Sequence, residues 1–328
     1  MTRRELVLRL LAIGAVAAMH VQAQSAAPDL PRVVVISPGD EAGPRPFLDA
    51  FRKGMRELGQ KEDRSFRFEI LYANGDPTRL PGLIRDAVAG RAAVIVVSGL
   101  LAARHARDAT NTVPVVVTTS SDLVDAGIAK SYARPGGNIT GLNDLVDELA
   151  AKRLELIKET LPKASRVVLL VNPDFPATQK IERRVRAAAR TLGIEVSRLD
   201  AKDPASLVMA LDSLARLRPD ALLLGGDALF VVRAQELIDR ASAMRIPVVH
   251  YWPGTAEMGA LFSHQADIFY NFQRAAYYVD RILKGAKPGD LAIEQPTHYE
   301  LVVNKRVATE FGVTIPPALI LRADRVIE

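Results

Sequence analysis

The chain has 328 residues, 48% hydrophobic and 25% charged, a composition that can bury one or two ordinary cores and rules out a disordered, collagen-like or disulfide-stapled polypeptide. Lys and Arg number 43 against 38 Asp and Glu, for a net charge of +5; part of it comes from Arg3, Arg4 and Arg9, and the remainder is too small for a nucleic-acid footprint. With no Cys and 5% aromatic residues, the sequence excludes disulfides, thiolate catalysis, thiolate metal sites and a lipidated Cys, and offers no stacking platform for single strands.

Arg3 and Arg4, an apolar run from Leu10 to Met19 and then Val21-Gln22-Ala23 have the layout of a cleavable export signal, residues 1–23, with cleavage expected after Ala23. The run is about half the length that a bilayer-spanning helix requires. Thr2-Arg3-Arg4-Glu5-Leu6 also resembles a twin-arginine export signal. Arg32 to Ser37 then reads as a buried parallel strand running into Pro38-Gly39-Asp40, and Phe47, Phe51, Met55 and Leu58 recur at helical spacing up to Gly59. Strands are predicted at Phe66–Tyr72, Ala93–Ser98 and Pro114–Thr119, with helices from Asp76-Pro77 to about Ala89 and over Leu101–Ala109. Four β-α units of this kind make one doubly wound parallel sheet.

Arg134-Pro135-Gly136-Gly137-Asn138-Ile139-Thr140-Gly141 breaks the rhythm and is the best hinge candidate. A helix over about Val146–Leu161 follows, and the alternation restarts with strands at Arg166–Val171, Ile194–Leu199, Ala221–Leu224 and Pro247–Tyr251. The fold class expected is therefore α/β, two doubly wound parallel-sheet lobes joined by a hinge, with a cleft between the loops that follow their strands.

Catalytic motifs are missing: there is no G-x-x-x-x-G-K-[ST], G-x-S-x-G or H-E-x-x-H, and the five His (His20, His105, His250, His264, His298) show no paired ligand spacing, so no cofactor and no metal are expected. What remains is a set of strand-end residues suited to binding. In the first lobe these are Gly39, Asp40, Ser98, Gly99, Ser120, Ser121 and Asp122, where hydroxyls and helix starts favour an anionic group such as a carboxylate. In the second lobe Asn172, Asp227, Tyr251, Trp252 and Phe262 offer an amide, a carboxylate for a cation, and aromatic walls. The loop after Leu261 reads Phe262-Ser263-His264-Gln265 and lies beside the expected pocket. Each strand-end Asp also stands where a capping or turn Asp is expected.

The segments Phe51-Arg52-Lys53-Gly54-Met55-Arg56-Glu57-Leu58-Gly59, Asn74-Gly75-Asp76-Pro77-Thr78-Arg79-Leu80-Pro81, Ala133 to Gly141, Lys152-Arg153-Leu154-Glu155-Leu156, Ile282 to Pro288, Glu294-Gln295-Pro296-Thr297 and Ile315-Pro316-Pro317 together resemble the ABC transporter substrate-binding proteins related to tryptophan/tyrosine-binding proteins. The resemblance implies a type I periplasmic binding-protein fold with three crossings: lobe one from residues 30–141 plus 267–290, lobe two from 142–266 plus 291–328. It also implies a monomer that closes on a small solute, an amino acid being the first guess, and docks on an ABC permease in the inner membrane. The ligand-holding loops it implies are those at Gly39, Ser98-Gly99 and Ser120-Ser121-Asp122, and at Asn172, Asp227 and Tyr251. Export without a Cys to lipidate points to the periplasm. A sensing partner of a membrane receptor and an exported two-lobe enzyme are the alternative readings.

Overall fold

A computed structural model describes residues 30–41, 45–252 and 254–328; the expected signal peptide lies outside the described residues. The first sheet has strand order β2-β1-β3-β4-β5, all parallel, with β1 Arg32–Ser37, β2 Arg67–Tyr72, β3 Val94–Val97, β4 Val115–Val117 and β5 Ile139–Gly141. Its central strands are continuous Val and Ile because helices cover both faces, and Val33, Val34, Val94 to Val97 and Val115 to Val117 are all fully buried. Each such side chain contributes about 1.5–3 kcal/mol by leaving water.

The second sheet runs β12-β11-β10-β9-β8-β6-β7, with β6 Arg166–Val171, β7 Glu195–Asp200, β8 Ala221–Leu224, β9 Val248–His250, β10 Phe262–Ala266, β11 Tyr299–Asn304 and β12 Arg325–Ile327. It is parallel except between β10 and β11. Here the structure departs from the sequence reading. Residues 262–266, expected as a loop, form a strand held by β9 on one side and β11 on the other.

Helix α1, Arg45–Glu57, and helix α9, Ile268–Leu283, pack together on the first sheet, so the chain returns to lobe one after β10. The approach is close. A Cβ on Gly54 of α1 would collide with the Gln273 carbonyl oxygen and lie 2.8 Å from the Ala276 Cβ. Gly54→Ala is therefore expected to destabilise by about 2 kcal/mol despite alanine's better helix propensity, seen as a lower urea midpoint with unchanged slope. An unchanged midpoint would show that the two helices can separate at no cost.

Three connections join the lobes, after β5, after β10 and before β11. The third lies further along than the sequence suggested. The Ile293 N–H donates to the Tyr132 carbonyl at 2.7 Å and the Glu294 N–H to the Gly141 carbonyl at 3.0 Å, so residues 291–294 stay with lobe one instead of leaving it at 290. The Asn143 N–H in turn donates to the Glu294 carbonyl at 2.9 Å, which ties the first crossing to the third. Arg274 on α9 completes the clasp with a two-pronged contact to the Glu294 carboxylate, 2.7–3.1 Å.

Candidate functional site

In lobe one the strand ends form a small-residue shelf. The Ser37 hydroxyl accepts the Gly39 N–H at 3.2 Å, and the Gly39 carbonyl accepts from Asn74 at 3.1 Å. Asp40 beside it is exposed. Ser98 and Thr118 share a hydroxyl hydrogen bond of 2.7 Å, and Gly99 starts helix α3, Leu100–Ala109, at φ 89°, ψ 151°, a conformation reserved for glycine. The first backbone N–H groups of α3 have no intrahelical partner there.

Ser120 and Ser121 lie beside that helix start, 1% and 6% exposed, and the hydroxyl of each is buried without a hydrogen-bond partner. The Nδ2 of Asn143, also fully buried, is likewise unpartnered, while its Oδ1 accepts from the Leu123 N–H at 3.4 Å. Buried polar atoms of native proteins are almost always paired, so three orphans around one loop mark a place for a ligand or water. The Ser120 carbonyl takes the Asp144 N–H at 2.7 Å, which fastens the loop to the first crossing.

Asp122 is not a free carboxylate. One oxygen accepts the Val124 and Asp125 N–H groups at 2.9 and 3.0 Å, and the other accepts the Tyr132 hydroxyl at 2.5 Å. Burial alone pushes its carboxyl up, but the Tyr132 hydroxyl, these N–H groups and nearby Lys180 hold it below the usual range. Its role is to shape the turn that carries Ser120 and Ser121.

In lobe two Asp227 caps helix α7, Ala228–Val232, by accepting the Leu229 N–H at 2.9 Å. Burial raises its pKa, and the Asn172 side chain, hydrogen-bonded to it, works in the opposite direction. Asn172 and Asp227 thus sit together, as their strand ends suggested. Tyr251 stands behind them. Its hydroxyl donates to the Asp227 carbonyl at 2.6 Å and accepts the Asp227 N–H at 3.1 Å, so it positions Asp227 and has no hydrogen to spare for a solute. Burial pushes the Tyr251 phenol up.

Phe262, expected as a cleft wall, is fully buried in the apolar cluster of lobe two, because its strand lies inside the sheet. Trp252 does reach the other lobe: its ring meets Phe47 of α1 edge-on at 5.4 Å and packs against the lobe-one core. The turn carrying it is fixed by His250, whose Nδ1 accepts the Trp252 N–H at 2.9 Å, leaving Nε2 to donate to the Phe230 carbonyl at 3.3 Å. Burial drives the His250 pKa down to about 3, so the ring is neutral.

Sequence reading missed three groups, Arg153, Lys180 and Asn143. Arg153 on α4, Val146–Thr160, is fully buried; it donates to the His264 carbonyl at 2.9 Å, lies over the Tyr251 ring at 5.9 Å, and burial lowers its pKa to about 10. Lys180 on α5, Thr178–Leu192, reaches across to Asp122 and Asp125 of lobe one. Asn143 could have been found, since it follows β5 as the other candidates follow their strands. Among the described residues no cluster of His, Asp or Glu could hold a metal ion, and no helix is long and apolar enough to cross a membrane.

Two α/β lobes with polar strand ends between them are the architecture of a solute receptor, and the profile described as ABC transporter substrate binding protein matches residues 33–327. The chain belongs to that family. A tyrosine-binding protein of Clostridioides difficile (strain R20291) is 24% identical over 264 residues, covering 79% of this chain and 76% of that one. Among solved structures, an ABC domain in complex with L-Trp from Streptococcus pneumonia superposes with a TM-score of 0.84 at 22% identity, covering 91% of this chain and all of that chain. A conserved domain protein of Vibrio cholerae gives 0.81 at 28% identity, covering 90% and 99%. The fold is the type I periplasmic binding-protein fold. For an ABC substrate-binding protein, family membership implies a small-molecule ligand and a permease partner, and such proteins typically work outside the cytoplasmic membrane.

Proposed function

We propose that this ABC substrate-binding protein captures an amino acid, an aromatic one first, in the interlobe cleft by hinge closure and delivers it to an importer from the periplasm, to which residues 1–23 direct it. The observation that carries the ligand class is the pair of buried, unpartnered hydroxyls of Ser120 and Ser121 beside the start of α3. Donors arranged in this way suit a carboxylate. Across the cleft Asp227, its pKa raised by burial, is a carboxylate whose ionised form an ammonium would stabilise. The relatives named for tyrosine and bound to L-Trp support an aromatic side chain, and Trp252 with Phe47 supplies an aromatic wall at the lobe boundary.

The test is a thermal-shift screen of residues 24–328 against amino acids, organic acids and sugars, followed by calorimetric titration. A ligand at about 100 times its dissociation constant should stabilise by about 2.7 kcal/mol. Asp227→Asn keeps the helix cap and removes the charge, so it should weaken amino-acid binding by about 30-fold, or roughly 2 kcal/mol, while leaving the protein folded. Unchanged affinity in that variant would refute the ammonium assignment. Trp252 is the only Trp in the chain, so its emission reports closure on L-Phe without interference from other indoles.

A further inference from the structure

We propose that Lys180 is an electrostatic latch: its ammonium, anchored on lobe two by Asp147, holds the lobe-one carboxylates of Asp122 and Asp125 and so sets how far the cleft rests closed. The inference rests on the hinge closure proposed above and adds a determinant of it outside the strand-end shelf. Lys180 Nζ lies 3.4 Å from Asp147, 3.4 Å from Asp125 and 3.9 Å from Asp122. Asp147 belongs to α4 and packs with Lys180's own helix; its side chain is 1% exposed, and Arg184, one turn further along α5, grips the same carboxylate at 2.9 Å. That half of the cluster travels with lobe two. Asp122 and Asp125 sit on the turn directly after Ser120 and Ser121, so that half travels with lobe one and with the candidate ligand loop.

The geometry distinguishes this contact from an ordinary surface pair. The Lys180 side chain is 25% exposed and that of Asp122 16%, and the cluster borders an interlobe cavity of about 120 Å³ also lined by Arg104 and Ser121. Asp122 is held in place by the Tyr132 hydroxyl, so neither of these partners has to be ordered afresh when the lobes meet. Asp125 is 64% exposed, and its arm of the latch is the one salt screens best. Opening the cleft leaves Asp122 and Asp125 without their cation and Lys180 with Asp147 alone. Ionic strength therefore tunes the resting closure of the receptor before any solute arrives.

The experiment uses the ligand-free protein. Because the chain has no Cys, labels can be placed uniquely by Arg85→Cys on lobe one and Met209→Cys, at a 71% exposed position, on lobe two. The interlobe distance distribution is then measured from about 20 mM to about 500 mM NaCl, over which the screening length falls from roughly 20 Å to roughly 4 Å. The wild-type background should shift toward the open population as salt rises. Lys180→Met should lower the closed-to-open ratio about fivefold at low salt and remove most of the salt dependence. Asp125→Asn, which keeps Lys180 on Asp147 and removes one lobe-one arm, should lower the ratio in the same direction by a smaller factor. A Lys180→Met distribution that matches wild type, or an Asp125→Asn distribution with unchanged closure at low salt, overturns the proposal. Since no solute is present, these outcomes are separate from whether an amino acid binds.

Discussion

Gly141→Ala is expected to destabilise the protein by about 4 kcal/mol, a fall in melting temperature of roughly 10 °C, the largest effect of any single methyl group considered. Gly141 closes β5 at φ 140°, where an L side chain is strained. A Cβ there would collide with the Val117 carbonyl oxygen and stand 2.6 Å from the Val117 nitrogen. Both obstacles are backbone atoms of a central strand, so neither can turn aside as a side chain could. The same residue accepts the Glu294 N–H, so displacing it also loosens the third crossing. Calorimetry of the variant checks the stability, and the interlobe distance checks the hinge. A melting temperature within about 2 °C of wild type would show that β5 can slide away from β4, which the packing forbids.

Acid should destabilise the protein by a net amount on the order of 4 kcal/mol between pH 7 and pH 4, mainly through His250 and His264. Burial lowers their pKa values from 6.5 to about 3 and about 4, so the unfolded chain binds protons that the folded one refuses. Stability is therefore full above the unfolded value and is lost as pH falls through that window. Asp144 acts in the opposite sense. Burial raises its pKa to about 6, so the folded state takes up its proton first and stability falls as pH rises from about 4 to 6. Asp144 keeps some solvent exposure, and its offset is the smaller one. Urea unfolding at pH 7, 5.5 and 4 reads the balance. His250→Gln should lose stability at pH 7, because Trp252 gives up an acceptor, yet show a shallower acid slope. Equal slopes in variant and wild type would remove His250 from the account.

Much of the fold was legible because buried parallel strands are continuous apolar runs closed by turn residues. Val94–Val97, Arg166–Val171 and Ala221–Leu224 stand where such runs place them. Residues 262–266 were not legible. Phe-Ser-His-Gln-Ala contains one large apolar residue, and its strand conformation comes from partners on both sides, a cause no local pattern carries. The strand-end rule points to the loops along one edge of each sheet, since a parallel sheet brings those ends together. It could not give the direction of each side chain. Asp122 turned inward to its own loop, the Tyr251 hydroxyl closed on the Asp227 backbone, and Phe262 went into the core. Lys180 had no signal at all, because Asp122 and Asp125 lie on the other lobe and only the assembled fold brings them to it.

The return of α9 to lobe one has a kinetic consequence. Until residues 268–283 are available, the face of α1 around Gly54 is bare and lobe one is an incomplete domain; until β11 and β12 are available, so is lobe two. Neither lobe is a consecutive stretch of chain, so closing either one spans a long loop and is slow. The polypeptide can consequently complete neither lobe until its C-terminal elements are present. For the same reason, cutting the gene at the hinge should yield two fragments that depend on each other to fold.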